Sequence, residues 1–190
     1  MTIIFSEVDV SQISGYVKYL VDNKVDGVYI IGTTGEGYNL TNDERLAIAK
    51  AWRQAIDKQG SKLLAVINVT SNCVKEAVVL SKQVDSLGFD AIAVLPPNYY
   101  KPNTINEWVS YLKVFGEAAP NTPLLYYHIP HMVGELNCNT ISKNSFEVFF
   151  NDFCLFLNKS RYNRSGWRRT QTNPSIGGYE SEEIPFLRLF

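Results

Sequence analysis

Cysteine is scarce in this chain. Cys73, Cys138 and Cys154 are the three in 190 residues, an odd number without paired-ligand spacing, which argues against both a disulfide framework and a zinc site. Charge of one sign is lacking as well: 18 Lys and Arg stand against 19 Asp and Glu, for a net charge of -1 and a pI near 6.1. Without a basic footprint, nucleic acid and an anionic membrane surface are not expected partners. No apolar run approaches transmembrane length, and residues 1–7 carry neither a basic n-region nor a long apolar stretch, so no membrane span and no signal peptide are expected. The expected compartment is a reducing cytoplasm, in which the Asn-x-Ser/Thr triplets at Asn39, Asn68, Asn158 and Asn163 are accidental matches. His128 and His131 are the only histidines, and with no other ligand grouped beside them they predict no metal site.

What remains is an ordinary globular composition, 45% hydrophobic and 19% charged, in a chain long enough to bury one sizeable core. The spacing of Ile13, Val17, Leu20 and Val21 predicts an amphipathic helix over residues 11–24. Strands are predicted at 28–31, 63–69, 91–95 and 123–130; the second is nearly continuous in apolar residues, as in a parallel sheet covered on both faces. Between them, helices are predicted from about residue 42 to 60 with Thr41 as N-cap, over 72–87 with Gly88 as C-cap, and over 105–118. Four alternations, each about 30 residues long, form the βαβ pattern of a parallel sheet. Two architectures fit it, a doubly wound open sheet and a (β/α)₈ barrel. In either, the strand exits share one rim where ligands bind, which places chemistry on Thr33, Thr34, Asn68, Tyr99, Tyr100, Tyr127 and His128.

The exit of the first strand is the most informative stretch. Gly32-Thr33-Thr34-Gly35-Glu36-Gly37 sets two adjacent hydroxyls among three glycines. Glycine permits backbone angles closed to other residues and lets a ligand approach the main chain, and each threonine offers a hydroxyl and an N–H donor. A small anion such as a carboxylate fits that description. So does an ordinary strand-to-helix turn whose threonines satisfy nearby backbone groups, and the hexapeptide alone leaves both open. It is not a phosphate loop, since its spacing fits neither GxGxxG nor GxxxxGK[ST].

Together with Tyr127-His128-Ile129-Pro130, and with Asn98-Tyr99-Tyr100-Lys101-Pro102 between, this motif resembles the pyruvate-dependent class I aldolase family, which includes dihydrodipicolinate synthase and N-acetylneuraminate lyase. Residues 11–134 carry the resemblance, and the Tyr126-Tyr127-His128-Ile129-Pro130 form is most similar to the animal-type N-acetylneuraminate lyases. The resemblance implies a TIM barrel that cleaves a 2-keto sugar acid through a lysine Schiff base, with no metal and no cofactor. It implies a homo-oligomeric family whose partner is a small-molecule keto acid or sialic acid. Carried over by position, Thr33 and Thr34 would hold the keto-acid carboxylate, and Tyr127 would be the catalytic tyrosine that handles protons near the imine. Tyr100 falls where relatives place an aromatic at a subunit contact; read by itself it is equally a loop residue packed on its own barrel.

The departures concern both ends of the resemblance. Relatives carry their Schiff-base lysine in a Gly-x-Lys segment about 30 residues past the tyrosine, and no such segment occurs here. Phe156-Leu157-Asn158-Lys159-Ser160 offers Lys159 near the right distance, among residues unlike those of the family. The first barrel strand is also absent before the helix at 11–24. The expected organisation is therefore a truncated chain: a partial TIM-barrel domain of about four βα units at 1–136, with both sheet edges open, and a divergent, poorly ordered tail at 137–190. The alternative for that tail is an irregular segment lying across an open sheet edge. Two functional readings follow: an N-acetylneuraminate lyase-like chain, inactive as written, or a non-catalytic half-barrel that binds keto acid or full-length subunits. Another pyruvate-dependent aldolase, such as dihydrodipicolinate synthase, is the runner-up within the family.

Overall fold

A computed structural model describes residues 7–127 and the backbone of residues 153–156. Helices and strands alternate: α1 (Ile13–Asp22), β1 (Gly27–Ile30), α2 (Asn42–Gln59), β2 (Leu64–Asn68), α3 (Val74–Asp85), β3 (Ala91–Val94), α4 (Ile105–Ala118) and β4 (Leu124–Tyr127). A single 3₁₀ turn at Gly37–Asn39 precedes α2, and β5 (Phe153–Phe156) completes the sheet.

Local chemistry sets the helix limits. At the start of α2 the Thr41 hydroxyl accepts from the Glu44 N–H at 3.3 Å, while the Glu44 carboxylate accepts from the Thr41 N–H at 2.7 Å. This capping box satisfies two backbone donors that an uncapped helix leaves open. Gly60, at φ 60°, ends the same helix in the left-handed conformation. Thr104 caps α4 through the Glu107 N–H, and Glu107 accepts from the Asn103 N–H at 2.7 Å. The expected course of α3 is corrected, for it stops at Asp85 and caps on Ser86, and Gly88 makes its left-handed turn (φ 79°) farther on. The Asp85 carboxylate accepts from the Asn121 N–H, the Asn121 amide and the Thr122 hydroxyl, which ties the end of α3 to the entry of β4.

The sheet order is β1-β2-β3-β4-β5, with the first four strands parallel. A doubly wound sheet reverses its strand order at a switch point. This one never reverses, and every strand pairs with its successor, as in the wall of a (β/α)₈ barrel. The alternation of side chains along the strands separates the two faces of the sheet. Val28, Ile30, Ala65, Ile67, Ile92, Val94, Leu124 and Tyr126 face one way and share a large core with Val17, Leu20, Trp52, Ile56, Leu80, Trp108 and Phe115 from all four helices. Val66, Ala91, Ala93 and Leu125 face the other way and form a small separate cluster with Tyr29. Helices therefore cover one face, and the second face is the concave interior.

One edge departs from expectation. Phe153–Phe156 pairs antiparallel with β4, Tyr126 opposite Cys154 and Tyr127 opposite Phe153, so the β4 edge is occupied rather than open. Among the described residues the outer side of β1 has no pairing strand. The rest of residues 128–190, with His128, His131 and Lys159, lies outside the described residues, as does the 1–5 stretch.

Candidate functional site

The site begins with an alternation inside β1. Val28 and Ile30 enter the helix-side core, which sends Tyr29 between them to the concave face. The strand then stops at Ile31, a buried β-branched residue at φ 59°. Left-handed backbone costs such a residue about 1–3 kcal/mol unless its surroundings impose it. Here Asn68, from the end of β2, donates its side-chain amide to the Ile31 carbonyl at 2.9 Å.

Beyond Ile31 the turn closes on itself. The Glu36 N–H donates to the Thr33 carbonyl at 3.0 Å and the Gly37 N–H to the Gly32 carbonyl at 3.2 Å. The left-handed residues are Ile31 and Glu36, at φ 59° and 51°, and none of Gly32, Gly35 and Gly37 takes a positive φ. The expectation that these glycines supply forbidden angles is thus corrected. Gly32 and Gly37 are needed for closeness: a Cβ at Gly32 would lie 2.7 Å from Cδ1 of the Tyr29 ring, and one at Gly37 would strike the Ile31 carbonyl. Thr33 and Thr34 stand exposed at the crest. Their hydroxyls, and the N–H groups of Thr34 and Gly35, have no partner among the described residues. That leaves a small set of unpaired donors on the consecutive residues Thr33, Thr34 and Gly35 at the strand exit, the chemistry an anionic group requires.

Asn68 proves to be scaffold. It is buried, its amide serves Ile31, its Oδ1 accepts from the Thr70 N–H at 3.0 Å, and its carbonyl accepts from Arg45 at 2.8 Å. Thr70 in turn accepts through its hydroxyl from the Leu95 N–H at 2.7 Å, and the Tyr111 hydroxyl donates to the Leu95 carbonyl at 3.0 Å. One chain of hydrogen bonds therefore fastens the exits of β1, β2 and β3 to each other and to α4. Arg45 sits beneath this rim with Nε unbonded, and burial lowers its pKa below the ordinary arginine value.

Tyr127 ends β4. Its ring meets the Tyr29 ring edge to face, centroids 6.0 Å apart and planes at 73°. On a flat sheet, residues three strands apart are separated by about 14 Å, so this contact expresses the inward curvature of the wall. The Tyr29 hydroxyl oxygen is buried and makes no hydrogen bond. Burial, and after it the neighbouring Tyr127 and Tyr38, push its pKa well above the usual phenol value. Tyr29, packed against both the turn and Tyr127, is a residue that the sequence reading did not single out. Its signal was present: it is the one polar-tipped side chain in the strand, and it stands between Val28 and Ile30, which face the helices.

Tyr99 and Tyr100 stand apart from this group. They are 83% and 85% exposed and touch edge to face at 4.9 Å. Tyr100 is therefore not packed on its own barrel. Among the described residues no three His, Cys, Asp or Glu side chains cluster as metal ligands, and no helix is long and apolar enough to cross a membrane.

Residues 5–144 match the model of the dihydrodipicolinate synthetase family. The chain is 36% identical over 129 residues to N-acetylneuraminate lyase of Danio rerio, covering 67% of this chain and 41% of the relative. It is 38% identical over 130 residues to N-acetylneuraminate lyase of Homo sapiens, covering 67% and 40%. Among solved structures, N-acetylneuraminate lyase (sialic acid aldolase) of Aliivibrio salmonicida superposes with a TM-score of 0.67 at 29% identity, covering 72% of this chain and 44% of that one. The chain spans about two fifths of the length of the curated relatives it matches.

Proposed function

As a member of the dihydrodipicolinate synthetase family, the chain, we propose, carries the keto-acid-holding part of an N-acetylneuraminate lyase-like aldolase. The observation that carries this reading is the contact of Gly32, Tyr29 and Tyr127. It joins the turn bearing Thr33 and Thr34 to the concave end of β4, although two strands lie between them. Thr33 and Thr34 hold the carboxylate of a 2-keto acid through hydroxyl and N–H donors. Tyr127 exchanges a proton with the bound acid or with the hydroxyl of a longer sugar acid in this reading, which its ring contact with Tyr29 supports. Tyr100, projecting into solvent, is free to meet another subunit.

Retro-aldol cleavage of N-acetylneuraminate to N-acetylmannosamine and pyruvate needs an amine. The iminium it forms withdraws the electron pair of the breaking carbon–carbon bond. Residues 128–190 contain no Gly-x-Lys segment of the family kind, and we assign this chain negligible lyase activity. It holds pyruvate and does not turn it over. Incubation with pyruvate and borohydride, read by intact and peptide mass spectrometry, is expected to leave the protein unmodified, while titration with ¹³C-labelled pyruvate detects binding. A reduced adduct on Lys159 would overturn the inactivity. Unaltered pyruvate binding in Thr34→Val would overturn the clamp.

A further inference from the structure

A tyrosine hydroxyl that is buried in a protein ordinarily finds a partner. That of Tyr29 has none. The ring is nonetheless held in one place by two independent features. Gly32, lacking a Cβ, lets the Thr33-Thr34 turn settle against it, and Tyr127 meets it edge to face from β4. The apolar residues packed with it on the concave face are Val66, Ala91, Ala93 and Leu125, and although Tyr38 and Arg45 lie close enough to act on it electrostatically, neither hydrogen-bonds its hydroxyl. Phenylalanine would supply the same ring packing without an orphaned polar atom, whose burial lowers stability. Local rules broken in this way are expected where a protein serves a ligand.

We propose that the Tyr29 hydroxyl is a third donor of the keto-acid site, giving its hydrogen bond to the bound 2-keto acid from beneath the Thr33-Thr34 turn. This rests on the reading of that turn as a carboxylate clamp. The turn binds from the rim and Tyr29 from the concave face, so the acid lies between the β1 exit and Tyr127. A phenol is protonated at neutral pH, and burial moves its ionisation farther from that range, which suits a donor to an anion.

The test compares the full chain with Tyr29→Phe and Thr34→Val, using ¹³C-labelled pyruvate as the probe and thermal unfolding as the second readout. Tyr29→Phe is expected to weaken pyruvate binding about tenfold, the size of one hydrogen bond to a charged acceptor. The same variant is expected to raise Tm by about 2–4 °C, because it deletes an unsatisfied group. Opposite signs in binding and stability are the mark of a ligand donor. Weaker binding together with a lower Tm would make Tyr29 a packing residue and overturn the proposal. Unchanged binding in Tyr29→Phe with loss in Thr34→Val would overturn it while leaving the clamp intact. No binding by the unaltered chain would bring down the clamp and the Tyr29 donor together.

Discussion

Gly37 and Gly32 look alike in the sequence and do different work in the turn. An alanine Cβ at Gly37 would run into the Ile31 carbonyl, which is backbone and is itself held by Asn68. At Gly32 the obstacle is the Tyr29 ring, 2.7 to 2.8 Å away, which can swing aside at the expense of its contact with Tyr127. Overpacking costs about 1–3 kcal/mol. Gly37→Ala is therefore expected at the upper end of that range and Gly32→Ala at the lower. Gly15, inside α1, meets nothing within 4 Å, so Gly15→Ala is the control and is expected to stabilise by about 0.5–1 kcal/mol. Urea unfolding followed by circular dichroism reads all three. A Gly37→Ala variant as stable as the unaltered chain would show that the turn is not held where we describe it.

The helices were legible in the sequence because their signals are local. Thr41 and Glu44 lie three residues apart and announce the start of α2, and the expected span of 105–118 coincides with α4, whose cap Thr104 the structure adds. The strand exits were legible for the same reason, and so were Thr33 and Thr34 as candidates. Tyr127 was reached only through its family motif, since a tyrosine ending an apolar strand reads as core. What stayed hidden depends on register and curvature: the positive φ at Ile31 is imposed by Asn68 from another strand, and the partnership of Tyr29 with Tyr127 spans β1 to β4. Asn68 was misassigned to chemistry because its polarity was visible and its three partners were not. The α2 cap also gives a pH test. Backbone and hydroxyl hydrogen bonds from Thr41 lower the pKa of Glu44 below the usual 4.5. A depressed carboxylate stabilises the fold above its unfolded pKa and loses that share as pH falls through the native value. Thr41→Ala is expected to cost about 1 kcal/mol at pH 7. The stability gap between Glu44 and Glu44→Ala should narrow between pH 5 and pH 3, estimated as the interval about the carboxylate pKa; a gap constant with pH would sink this account.

For the molecule as a whole, the uninterrupted order of β1 to β4 and the one-sided helices make the four parallel strands part of a barrel wall, with β5 running antiparallel along the β4 edge. Both faces of that wall bury a tyrosine hydroxyl near the rim. Tyr29 lies on the concave side, and Tyr111 lies on the helix side, donating to Leu95. Burial is the first cause of a raised pKa at each, and each starts from an ordinary value of 10.0. In the unfolded chain both phenols ionise from about pH 10, whereas the native chain keeps their protons. Unfolding then releases protons, so stability falls as pH rises, by about 1.4 kcal/mol per pH unit for each group. Below pH 9 neither group contributes a slope on this account, an estimate set by the phenol pKa. Urea midpoints measured in steps through the alkaline range should therefore decline steeply in the unaltered chain and less steeply in Tyr29→Phe, with Tyr111→Phe giving a similar reduction from a lower starting stability because Leu95 loses its donor. If the two single variants kept the full alkaline slope, the hydroxyls would have to be open to water in the native state. The concave face would then not be the enclosed surface on which Tyr29 and Tyr127 meet.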